Sequence, residues 1–164
     1  MAVAPYKIRA DRAFFCHAQV PPTDVDSYGV VKNTVYHEYL YAARVAFGAS
    51  LGFPLEVLLE EYGVMTATIS VTTHFKSPLQ VGDVFFAESV PVQVKGATVK
   101  FKERVVRLSS SGSEQQVVAE GEATCVGLLP GCPPVKPARI PAPFRQALLR
   151  CIDAAASAEA VARN

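Results

Sequence analysis

The sequence predicts an α+β fold: an antiparallel sheet of about five strands wrapped around a central long helix, with a C-terminal helical extension. Three observations carry this. Residues 34–47 place apolar or aromatic side chains at Val35, Tyr36, Tyr39, Leu40, Ala43 and Phe47, steps of three and four that fall on one helical face. Four later segments are strand-like and follow one another through short connections, which makes antiparallel pairing the default. A Pro-rich stretch then leads into a tail that returns to helical spacing. The 164 residues, 50% hydrophobic and 19% charged, suit one globular domain able to bury a core without disulfides or metals.

Taken in order, residues 13–20 read as a first strand, stopped by Pro21-Pro22 and followed by the polar turn Thr23-Asp24-Val25-Asp26-Ser27-Tyr28-Gly29. Asn33 is placed to cap the long helix and Gly48 to stop it. A short second helix is expected over 54–62, with Pro54 in its first turn and Gly63 beyond it. Residues 66–76 alternate, with Ala67, Ile69, Val71 and Phe75 on one face and Thr66, Thr68, Ser70 and Thr72 on the other. In 84–94 the apolar face is Val84, Phe86, Val90, Val92 and Val94, and Pro91 implies an edge or a bulge. Gly96-Ala97 turns the chain into a strand over 98–108, where Val105-Val106 implies another bulge. A Ser-rich loop, 109–114, precedes the last strand, 116–129. The expected organisation is a domain over 1–129, then a Pro-rich connection and C-terminal helix over 130–164. That helix, 144–156, is expected on a surface or at an interface.

The 16 basic and 15 acidic residues nearly cancel, so no global field draws in nucleic acid or an anionic membrane. Cys16, Cys125, Cys132 and Cys151 form no C-x-x-C pair and have no His cluster beside them, which points to reduced thiols rather than a zinc site. No apolar run approaches the ~20 residues of a membrane span. A soluble protein with no metal and no cofactor is expected.

Chemistry concentrates in Asp24–Tyr39 and Ala43-Arg44. A carboxylate in a turn that feeds a helix start stands beside unpaired N–H groups that favour developing negative charge. Carboxylate and oxyanion site together are what acyl transfer requires.

This stretch resembles the hotdog-fold thioesterases of the 4-hydroxybenzoyl-CoA thioesterase type. Their D-x-D-x-x-G-x-V-x-x-x-x-Y pattern, followed by an aromatic-rich helix with Ala-Arg, matches Asp24, Asp26, Gly29, Val31, Tyr36 and Ala43-Arg44. Pro78-Leu79, Gly82-Asp83 and residues 119–126 add to it. Residues 139–145, R-I-P-A-P-F-R, resemble the ending of plant acyl-lipid (acyl-ACP) thioesterases, which also carry a Tyr-Gly-Val-Val stretch like residues 28–31. The resemblance implies that Asp26 is the catalytic carboxylate, as nucleophile or as general base for water. It implies that the helix start around Asn33 polarises the thioester carbonyl, and that Val31, Tyr36 and Tyr39 bind substrate. Lys32 departs from the plant pattern, which has Asn there.

The implied function is hydrolysis of acyl thioesters, foremost fatty acyl or β-ketoacyl groups on acyl carrier protein, with coenzyme A as the other carrier. The rival readings are an aromatic acyl-CoA thioesterase (such as one for 1,4-dihydroxy-2-naphthoyl-CoA), a hotdog dehydratase, and a non-catalytic acyl-binding module. A dehydratase would need a catalytic His near position 33, where this chain has Asn. The open sheet edge implies a homodimer or homotetramer. Lys95, Lys100, Lys102 and Arg104 could meet an acidic carrier protein. The implied compartment is the plastid stroma, with any transit peptide absent or removed, or the cytoplasm.

Each residue also has a plain structural reading. Asp24 and Asp26 suit Asx turns. Tyr36, Tyr39 and Tyr41 suit helix packing, and Cys125 suits a strand core. Arg44 suits an ion pair across an interface with an acid such as Glu38 or Asp24. His17, His37 and His74 are scattered.

Overall fold

The computed structural model describes residues 7–8, 14–109, 115–131 and 135–162. Cys132 and residues 110–114 of the expected Ser-rich loop lie outside the described residues, as do the side chains of Cys16 and His17. The elements are β1 (Lys7–Ile8), β2 (Phe14–Gln19), α1 (Asn33–Ser50), α2 (Leu55–Glu60), β3 (Met65–Phe75), β4 (Val84–Lys95), β5 (Thr98–Leu108), β6 (Gln115–Leu128) and α3 (Ala142–Ala162). A 3-10 turn, Pro22–Asp24, lies between β2 and α1.

The strands form one antiparallel sheet in the order β1-β2-β4-β5-β6-β3. Five long strands make the expected sheet, and two-residue β1 lengthens its edge beside β2. Although β3 precedes β4 in the chain, it lies at the far edge and pairs with β6, Met65 opposite Leu128 and Phe75 opposite Ala119. The sheet curls around α1, and β3 and β6 approach so closely that a Cβ on Gly121 would lie 1.8 Å from the Thr72 carbonyl oxygen. Only glycine fits there.

Helix α1 buries Val35, Tyr36, Tyr39, Leu40, Ala43 and Phe47, the face its periodicity predicts. Its ends differ from expectation. Lys32 holds the N-cap position without a side-chain cap, and Asn33 is the first helical residue. Gly48 does not stop the helix, which continues to Ser50. Termination comes at Gly52, with φ +87°, where Gly52 N–H donates to Ala49 O (3.0 Å) and Phe53 N–H to Gly48 O (2.9 Å). This is the paired-bond C-terminal motif that wants glycine in the left-handed region. Gly48 is instead a packing glycine: a Cβ there would sit 3.2 Å from the Phe53 carbonyl oxygen.

Strand β4 is buried on both faces. Phe85 and Ala87 face the α1 core, whereas Phe86 packs with Val106 on the opposite face. The single apolar face read from Val84, Phe86 and Val90 is thus only half of it. Pro91 is accommodated by a bulge between Pro91 and Gln93, beyond the described stretch where β2 pairs. The second expected bulge lies at Val105/Val106.

The tail is tied back into the fold. Ala138 N–H donates to Gly127 O (2.8 Å) and Ile140 N–H to Gly96 O (3.2 Å). Ile140, Phe144 and Leu148 then join Phe47, Leu58, Val99 and Phe101 in a core cluster around the C-terminal half of α1. The start of α3 is therefore core, not the surface helix that its spacing suggested. Among the described residues no helix is long and apolar enough to cross a membrane.

Candidate active site

The segment between the 3-10 turn and α1 folds into a small closed loop. Val25 and Val31 form an antiparallel bridge, Asp26 N–H donates to Val30 O (2.9 Å), and Gly29 N–H donates to Asp26 O (3.0 Å). Gly29 has φ +77°, which makes glycine the natural residue at this tight turn. The loop is held from outside by the β3–β4 connection, because Val31 N–H donates to Leu79 O (2.9 Å) and Val30 bridges Gln80.

Two tyrosines of α1 lock this arrangement. The Tyr39 hydroxyl donates to Asp24 Oδ2 at 2.5 Å, and the Tyr36 hydroxyl accepts from Leu79 N–H at 2.9 Å. Burial, then the Asp24 carboxylate, pushes the Tyr39 phenol well above its usual range. Burial also raises Tyr36, against the Leu79 hydrogen bond. Asp24 is thus the anchor of the loop rather than an Asx-turn residue.

The Asx turn falls on Asp26. Its Oδ1 accepts from Tyr28 N–H (2.8 Å) and more distantly from Val30 N–H (3.4 Å). Among the described residues its Oδ2 accepts no hydrogen bond. The carboxylate is therefore oriented through one oxygen and open at the other. Asn33 is exposed at the first turn of α1, and among the described residues the N–H groups of Asn33 and Thr34 have no acceptor. Lys32, just before them, donates from Nζ to Thr23 O (3.1 Å) and N–H to Asp24 O (3.1 Å).

The family resemblance implies that Val31, Tyr36 and Tyr39 bind substrate. The structure buries all three, at 3%, 2% and 5% exposure, and both tyrosine hydroxyls are already engaged. In the single chain they support the loop from behind and offer no open wall. His37 and His74 are exposed and separate.

The feature missed is a buried ion pair. Arg44 Nη1 meets both oxygens of Glu103 at 2.6 and 2.8 Å, and Ser89 Oγ donates to Glu103 Oε1 at 2.9 Å. Arg44 is thus paired within its own chain, not with Glu38 or Asp24. Burial raises the Glu103 carboxyl, and Arg44 pulls it back. The signal was present: Glu103 sits between Phe101 and Val105 in the apolar register of β5. The basic stretch of β5 is also partly neutralised, Lys100 pairing with Glu122 (2.6 Å) and Arg104 with Glu88.

A thioesterase-like superfamily model matches residues 20–148. The chain is 27% identical over 134 residues to the acyl-CoA thioesterase YbgC of Haemophilus influenzae, covering 82% of this chain and 96% of that protein. It is 28% identical over 122 residues to the chloroplastic acyl-acyl carrier protein thioesterase ATL3 of Arabidopsis thaliana, covering 74% of this chain and 60% of ATL3. Among solved structures, 4-hydroxybenzoyl-CoA thioesterase from Pseudomonas sp. strain CBS-3 superposes with a TM-score of 0.76 at 20% identity, covering 83% of this chain and 99% of that one. The Synechocystis 1,4-dihydroxy-2-naphthoyl-CoA thioesterase Slr0204 gives 0.72 at 19% identity, covering 84% and 96%. With the curled sheet around α1 and the family match over most of its length, this chain belongs to the thioesterase-like superfamily and has the hotdog fold.

Proposed function

We propose that the chain hydrolyses acyl thioesters, with Asp26 as the catalytic carboxylate and the N–H groups at the Asn33 end of α1 as donors to the thioester oxygen. One observation carries this reading: an oriented carboxylate stands on a loop fastened to a helix start, and among the described residues its second oxygen and the first N–H groups of the helix have no hydrogen-bond partner. The chemistry consumes water and a thioester and yields a carboxylic acid and a thiol. As nucleophile, Asp26 would form an anhydride that water opens. As base, it would take a proton from the attacking water. Negative charge on the carbonyl oxygen would meet the helix N-terminus in either case. Val31, Tyr36 and Tyr39 are positioning residues in this reading.

The substrates we propose are fatty acyl or β-ketoacyl groups on coenzyme A or acyl carrier protein; the similarity to YbgC, an acyl-CoA thioesterase, and ATL3, an acyl-acyl carrier protein thioesterase, supports the two carriers. The ion pairs Lys100–Glu122 and Arg104–Glu88 take two of the basic groups of β5 away from an acidic carrier that would dock there. We further propose that the working unit is a homodimer or a dimer of dimers. Among the described residues strand β3 has no neighbour on its outer edge, and its Ile69 and Phe75 are 60% and 44% exposed. Unpaired, such an edge invites a second copy.

The test is thiol release by wild type and Asp26→Asn on acyl-CoA, acyl carrier protein and 1,4-dihydroxy-2-naphthoyl-CoA thioesters. Loss of a carboxylate that activates water or forms the covalent intermediate should cost about 10²–10⁴ in kcat. Full activity in a folded Asp26→Asn variant refutes the assignment. A strong preference for the naphthoyl substrate would replace the fatty acyl reading with the aromatic one.

A further inference from the structure

Along α1, Asn33, His37, Tyr41, Arg44 and Gly48 follow at steps of four, four, three and four, so they form one stripe down the helix. An open groove of about 520 Å³ follows the middle of this stripe, between His37, Glu38, Tyr41 and Arg44 of α1 and Thr68 and Val71 of β3. Behind it lies an apolar cavity of about 90 Å³ among Gly48, Phe53, Leu58, Phe101 and Phe144. Tyr41, Arg44 and Thr68 border both, so groove and cavity adjoin. The neck carries no net charge, because Arg44 is paired with buried Glu103. Gly48 leaves that wall without a side chain, and Phe144, from the C-terminal helix, packs on Phe53 at a ring separation of 4.9 Å.

We propose that this groove and cavity hold a long saturated acyl chain, running from the Asn33 end of α1 past Tyr41 and Arg44, its last methylenes enclosed beside Phe53 and Phe144. The proposal rests on the thioesterase reading and deepens it to a chain-length preference. From Asn33 to Arg44, α1 advances about 17 Å at ~1.5 Å per residue. Carbon–carbon bonds of ~1.5 Å at ~111° advance about 1.25 Å each, so about 13 carbons reach the neck. A cavity of this size holds roughly three further groups at ~30 Å³ apiece. The preferred chain is therefore of roughly 14–16 carbons, and a chain of about 8 stops in the groove.

Ala67 of β3 lines the cavity and lies outside the catalytic loop, so Ala67→Leu fills the space that the chain end would occupy. Wild type should favour hexadecanoyl-CoA over octanoyl-CoA. Ala67→Leu should lower kcat/KM on hexadecanoyl-CoA by about 60-fold, roughly fourfold for each of three displaced methylenes, and change octanoyl-CoA less than about twofold. Phe144→Ala, with folding checked by thermal unfolding, should move the preference to longer chains. The non-hydrolysable thioethers S-hexadecyl-CoA and S-octyl-CoA give a binding readout independent of turnover. Equal losses on both chain lengths, or thioethers bound alike by wild type, overturn the proposal. Chain-selective thioether binding without any hydrolysis would leave it standing and defeat the thioesterase reading. Hydrolysis without chain discrimination would do the reverse.

Discussion

Replacing Arg44 by Met should unfold this protein more readily than any surface change, because it strands a charge. The Arg44 and Glu103 side chains are only 9% and 1% exposed, and Arg44 Nη1 touches both carboxylate oxygens. Without Arg44 the Glu103 carboxylate keeps one hydrogen-bond partner among the described residues, the Ser89 hydroxyl at 2.9 Å. Removing one member of such a pair costs about 3–5 kcal/mol. For a chain of this size that is a fall in Tm of roughly 6–20 °C. Glu103→Gln in the Arg44→Met background removes the stranded charge and should recover part of the loss. The pH dependence is signed too. Burial holds the Glu103 carboxyl above its unfolded value, so the folded state keeps a proton that the unfolded chain has released. This contribution is fully present below the unfolded value and is lost as pH rises through the folded one. Glu103→Gln should flatten that part of the profile. Urea unfolding of wild type, both single variants and the double variant at about pH 5 and about pH 8 gives the coupling energy. A cost below about 1 kcal/mol for Arg44→Met, or strictly additive variants, would refute the reasoning.

Tyr39→Phe should cost about 1–3 kcal/mol by leaving Asp24 without its phenol partner, and should lower kcat more than it raises KM, read by urea unfolding and steady-state kinetics. Gly121→Ala should sharply reduce soluble folded protein, since its Cβ would overlap the Thr72 carbonyl; circular dichroism and melting would show it. Ile69→Lys should shift the protein towards monomer in light scattering at fixed concentration, as a charge on the free β3 edge opposes pairing.

Patterns of local origin were legible in the sequence. The α1 face follows from the spacing of Val35, Tyr36, Tyr39, Leu40 and Ala43, and the bulges from Pro91 and the Val105-Val106 pair. The turn that presents Asp26 is likewise local, because a short polar side chain bonding to N–H groups two and four residues on needs nothing distant. Where a glycine could serve either of two purposes, local reading failed: Gly48 packs against Phe53, and Gly52 stops the helix.

What the sequence determined by itself was the kind and order of the elements other than β1 and the 3-10 turn, and the acid-bearing loop before α1, since periodicity and turn chemistry act over a few residues. Only the tertiary structure decided that β3 crosses to β6, that Tyr39 holds Asp24 across 15 positions, and that Arg44 meets Glu103 across 59. Those outcomes depend on which surfaces meet when the sheet closes around the helix. Burial and pairing of a charge are set by neighbours that lie far apart in the chain.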